Sequence, residues 1–107
     1  MIKKYHKKYF NSILEGLNKI QYYENGCLIE ADLFYNKIQD HLKNIKIKDH
    51  KLFFFGNGAS AAFANHMALD FSKNGGILSK SLSDSAMLTA LSNDYSYERA
   101  MLEYVKI

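Results

Sequence analysis

With 107 residues, 48% of them hydrophobic and 14% aromatic, the chain has the length of one small domain and a composition that excludes intrinsic disorder. Its formal charge of +3 gathers in lysines that precede residue 52 and alternate with apolar positions; without an arginine-rich or RNA-binding motif they read as a solvated helix face, and no nucleic-acid partner is expected. No segment reaches the roughly 20 apolar residues of a membrane span, and the basic start Met-Ile-Lys-Lys-Tyr-His lacks the apolar stretch of a signal peptide, so a soluble, cytoplasmic protein with no membrane partner is expected.

From Tyr5, the residues Tyr9, Phe10, Ile13, Leu14, Leu17 and Ile20 recur at three- and four-residue steps and predict an amphipathic helix that Asn25-Gly26 ends. The same periodicity in Leu28, Ala31, Phe34, Tyr35, Ile38 and Leu42 predicts a second helix over 28–42, so that a helical segment of about 1–45 precedes any strand. Cys27, alone of its kind, excludes an internal disulfide and suits a reducing compartment; a small buried hydrophobe is expected there.

The run Leu52-Phe53-Phe54-Phe55, closed by Gly56, has the continuous apolar character of a strand covered on both faces. Residues 59–73 are rich in Ala, Met and Leu and contain neither Gly nor Pro, which predicts a buried helix stopped at Asn74-Gly75-Gly76. A second strand over 77–82 follows. Ser83-Asp84-Ser85 then offers cap chemistry for a short helix over 86–91, Ser92-Asn93-Asp94 a loop, and the region near Tyr97 another helix. This order predicts an α/β fold with a parallel sheet, its start lying at about 51–107, with no domain boundary and more sheet expected than two strands supply. So short a chain buries a small share of its surface, so a homo-oligomer is expected.

The segment Gly56-Asn57-Gly58-Ala59-Ser60 carries the chemistry. A glycine-rich turn between strand and helix aims backbone N–H groups and a helix N-terminus at one point, which favours an anion such as phosphate. Ser60 can donate its hydroxyl or cap the helix, and Asn57 can add a side-chain donor. No Gly-Lys-Ser/Thr ending of a nucleotide P-loop is present; Gly56, Gly58 and Ala61 match only the G-x-G-x-x-A form of the dinucleotide fingerprint, for which Asp84 is the candidate acidic partner.

His66 and Asp70, four residues apart, share a helix face and can form an ordinary hydrogen-bonded pair, move protons on one substrate or hold one metal ion. Asn93-Asp94 reads either as a turn or as ligand groups at the mouth of the sheet. His6, His41 and His50 have no ligand spacing, and Tyr22, Tyr23, Tyr95 and Tyr97 read as packing or interface aromatics.

In order and spacing, Gly56-Asn57-Gly58-Ala59-Ser60, His66, Asp70 and Asn93-Asp94-Tyr95 resemble the phosphoheptose isomerase family of SIS domains, whose signature joins a G-N-G-[GA]-S loop, a histidine six residues on, an acidic residue four later and an N-D-[FY] loop. The resemblance covers nearly the whole chain. It implies a flavodoxin-like parallel sheet with helices on both faces behind an N-terminal helical pair, a homotetramer with active sites between subunits, and interconversion of sedoheptulose 7-phosphate with a heptose 7-phosphate for bacterial lipopolysaccharide or capsule. Position by position it implies substrate contacts at Asn57, Gly58, Ala59, Ser60, Asn93 and Asp94. It makes His66 and Asp70 two of the zinc ligands found in some members, with Asp70 also the catalytic base.

Many members carry glutamate at the position of Asp70, whose carboxylate is shorter by one bond. The family's second half supplies a serine-rich phosphate loop, further strands and the histidine that acts as partner acid, none of which lies within these 107 residues. The expectation is therefore an N-terminal half of the domain, incomplete at its C-terminal side and weakly active or inactive alone. The alternative is a non-catalytic SIS module that binds a sugar phosphate or a protein partner.

Overall fold

The computed structural model describes residues 2–107, which form α1 (Ile2–Asn18), β1 (Tyr22–Glu24), β2 (Cys27–Ile29), α2 (Ala31–Ile47), β3 (Leu52–Phe54), α3 (Ala59–Lys73), β4 (Ser79–Ser81), α4 (Ser85–Asp94) and α5 (Tyr97–Lys106). They fall into two compact units that divide within α2, one through Asp40 and one from His41. The α/β class holds, but strands come earlier than expected.

In the first unit Asn25-Gly26 does not end a helix. It closes an antiparallel hairpin in which Tyr22 pairs with Ile29, Tyr23 with Leu28 and Glu24 with Cys27. Asn25 and Gly26 take φ of 50° and 81°, the two positive values that a two-residue hairpin turn with the native strand twist demands. Leu28 therefore belongs to β2, and α2 starts only at Ala31. The hairpin is anchored through Tyr22, whose ring lies 4.9 Å from that of Phe34 and whose hydroxyl is 3.1 Å from that of Tyr35, and through Glu24, which accepts from Lys37 at 2.6 Å. Cys27 is exposed rather than buried, because it stands next to the turn at the hairpin's tip.

α1 has the expected amphipathic stripe, yet none of its residues is buried: Phe10, Leu14 and Leu17 are 55%, 59% and 58% exposed.

In the second unit β3 and β4 pair in parallel, Leu52 with Ser79 and Phe54 with Ser81, through the crossover helix α3. α3 was expected to be buried; only Ala64 and Ala68 are. That face meets the sheet through Phe71, 5.2 Å from the Phe54 ring, and through serine hydrogen bonds. Ser79 N–H donates to Ser72 Oγ at 3.0 Å and Ser81 Oγ to Asn65 Oδ1 at 2.8 Å.

Leu82, Leu91 and Ala100 form the core of this unit, with Leu88, Met101 and Tyr104 packed on it. Tyr104 presents its ring edge-on to Phe53 and Phe55, at 6.0 and 6.3 Å, which ties α5 to β3. Glu103 is only 8% exposed and ion-paired with Lys106 and Arg99 at 2.9 and 2.7 Å; hydrogen bonds from Lys106 and then Arg99 hold its carboxyl below the usual range. Among the described residues no helix is long and apolar enough to cross a membrane.

Candidate functional site

The loop after β3 is built around two glycines with different duties. At Gly56 a Cβ would lie 2.4 Å from the backbone C and O of Ser60 and 2.8 Å from the nitrogen of Ala61, so the first turn of α3 closes directly over it. Gly58, with φ of 56° and ψ of −125°, occupies a backbone region that glycine enters without penalty. The turn between them is tightened by Ser60 N–H donating to the Asn57 carbonyl at 3.1 Å and Ala61 N–H to that of Gly58 at 3.0 Å. Gly58 is the N-cap of α3, and no side chain caps the helix; Ser60, offered by the sequence as a cap, is already inside it. The N-terminal end of α3 thus keeps its partial positive charge without a side-chain acceptor covering it.

Asn57 has a partner that sequence reasoning missed. The hydroxyl of Tyr97, the first residue of α5, donates to Asn57 Oδ1 at 2.7 Å. No spacing rule connects residues 40 apart, and the ring alone suggests packing.

His66 and Asp70 do share a face of α3, with Nε2 and Oδ2 3.3 Å apart. The face is the outer one: their side chains are 66% and 39% exposed, opposite Ala64 and Ala68, and Phe63 beside them is exposed too. The buried setting expected for the pair is therefore absent. Asp70 Oδ1 also accepts from Asn74 Nδ2 at 3.4 Å. Among the described residues no group of three or more His, Cys, Asp or Glu side chains gathers to hold a metal ion. The pair fits two of the four positions of a zinc site, one imidazole and one carboxylate.

Asn93 and Asp94 lie in the last turn of α4 rather than in a loop. The helix runs on because Tyr95 N–H reaches the Leu91 carbonyl at 3.0 Å, and Ser92 satisfies its hydroxyl on the Leu88 carbonyl at 2.7 Å instead of opening a turn. Both residues are exposed and hydrogen-bonded to each other, Asn93 Nδ2 to Asp94 Oδ1 at 3.2 Å, four and three residues before Tyr97. Asp84, the candidate for a nucleotide ribose, is committed elsewhere: its carboxylate caps α4 by accepting from Met87 N–H at 2.7 Å.

Compared with known proteins, the chain is 32% identical over 102 positions to the phosphoheptose isomerase of Nitratidesulfovibrio vulgaris (strain Hildenborough), a match that covers 87% of this chain and 46% of that protein. It is 42% identical over 62 positions to the phosphoheptose isomerase of Roseiflexus sp. (strain RS-1), covering 52% of this chain and 32% of that one. No protein-family model and no solved structure matches. Over the stretch that it shares with these proteins the chain is similar to phosphoheptose isomerases, and it spans less than half their length.

Proposed function

We propose that this chain supplies part of the active site of a cytoplasmic sugar-phosphate isomerase of the SIS fold, which interconverts sedoheptulose 7-phosphate and an aldose heptose 7-phosphate. The observation that carries it is the loop from Gly56 to Ser60, at the C-terminal end of a parallel strand, where ligands of open α/β sheets gather. Gly56 has no room for a side chain there and Gly58 lies at positive φ, so both glycines answer to the geometry of a tight, uncapped helix start. Asn57, Gly58, Ala59 and Ser60 form the cradle, with Asn93 and Asp94 as further polar contacts to the sugar.

In the aldose–ketose step a carboxylate removes the proton beside the carbonyl while an opposed acid protonates the carbonyl oxygen. The carboxylate then returns its proton to the former carbonyl carbon of the enediol as the other enediol hydroxyl gives its proton back to the acid and becomes the new carbonyl. Asp70 is the base of this scheme and His66 its hydrogen-bonding neighbour. Ten residues separate Ser60 from Asp70, about 15 Å of helix, whereas a general base works within about 3 Å of its proton. That span favours a homo-oligomer, a tetramer as in the family, with sites completed between copies. Zinc, when bound, polarises a sugar oxygen; His66 and Asp70 would hold it together with donors from outside this group.

Conversion of sedoheptulose 7-phosphate by the protein that carries this sequence tests the proposal. Asp70→Asn should lower turnover at least about 100-fold, the lower range for losing a general base, with an unchanged melting temperature. Undiminished turnover in Asp70→Asn would remove Asp70 from the chemistry. A folded wild type that binds the sugar phosphate but never converts it would identify a binding module instead.

A further inference from the structure

We infer that Tyr97 is a positioning residue for the ligand loop, holding the Asn57 side chain in place with one end of its amide turned to the ligand; this rests on the loop being the sugar-phosphate cradle proposed above.

An asparagine amide has two ends of nearly equal shape and opposite chemistry, a carbonyl that accepts and an NH2 that donates. Asn57 is exposed and flanked by Gly56 and Gly58, which have no side chains to restrain it. The Tyr97 hydroxyl occupies Oδ1 at 2.7 Å. The hydroxyl can donate to Oδ1, as here, or accept from Nδ2 if the amide turns over, so the bond holds the side chain in place and leaves its other end, here Nδ2, for a ligand.

Tyr97 is half exposed but stands on a helix that is itself braced. One face of α5 carries Tyr97, Ala100, Met101 and Tyr104; Ala100 is 0% exposed and Tyr104 lies against Phe53 and Phe55, the segment that leads into the loop. The same helix therefore braces the strand before the loop and the amide within it. With Oδ1 held by Tyr97, Nδ2 can donate to ligand oxygens of the hydroxyl, carbonyl or phosphate kind.

The test is a double-mutant cycle on the dissociation constant of sedoheptulose 7-phosphate, by calorimetry, for wild type, Tyr97→Phe, Asn57→Ala and the double variant. Tyr97→Phe keeps the ring and should weaken binding about fivefold, the worth of one net hydrogen bond, while the double variant should bind no more weakly than Asn57→Ala alone. In the free protein Tyr97→Phe should also shift the Asn57 side-chain amide resonances, a readout that general loosening of α5 would not confine to that residue. Wild-type affinity in Tyr97→Phe, additive losses in the double variant, or unmoved Asn57 resonances would overturn the inference while leaving the cradle intact. A wild type that does not bind the sugar phosphate would overturn the cradle, and the positioning role with it.

Discussion

Residues up to Asp40 and residues from His41 are similarly rich in apolar side chains but use them differently. Ala64, Ala68, Ile77, Leu82, Leu91 and Ala100, the buried hydrophobic residues among those described, all belong to the second unit, whereas neither α1 nor α2 buries any residue. The second unit alternates strand and helix, so each helix finds a sheet or another helix to cover it within a few residues of chain. Besides helix, the described residues of the first unit form only a hairpin of two three-residue strands. An amphipathic stripe declares that a helix needs cover; it does not name the cover.

The largest effect that would sharpen this contrast is Gly56→Ala. Its Cβ meets backbone rather than a movable side chain, so the first turn of α3 must shift, at a cost of about 3 kcal/mol. Thermal unfolding followed by circular dichroism should show the loss; an unchanged melting temperature would mean that the loop does not hold α3 against β3 as described.

Next in size is a matched pair of truncations. Leu91→Ala, in the core, should cost about 2–3 kcal/mol in urea unfolding, while Leu17→Ala on the exposed stripe of α1 should cost less than about 0.5 kcal/mol in dilute solution. Equal losses would break the contrast. A Leu17→Ala penalty that grows with protein concentration would instead show the stripe covered by another copy.

Much of the second unit was legible in the sequence because its signals are local. The apolar run of β3, the glycines of the loop, the uninterrupted stretch that became α3 at Ala59–Lys73 and the Asp84 cap each act over a few residues. Asn25-Gly26 was misread because the same dipeptide serves helix ends and hairpin turns; the flanking Tyr22-Tyr23 and Leu28-Ile29 were the signal for strands. The burial of α3 was overestimated because alanine fits an outer face as well as an inner one. Ser92 hid the continuation of α4, since a hydroxyl that usually favours turns can also bond back within a helix. At the site, the pairing of His66 with Asp70 followed from helical spacing, whereas Tyr97 on Asn57 depends on how α5 packs and leaves no trace in local sequence.

The claim that the loop after β3 is the ligand cradle is tested most directly by titrating the protein with sedoheptulose 7-phosphate and following its backbone amide resonances. The account predicts saturable shifts concentrated at Asn57, Gly58, Ala59, Ser60 and Tyr97, with the stripe of α1 unmoved. Shifts confined to the lysines of α1, or none at all from a folded protein, would contradict it.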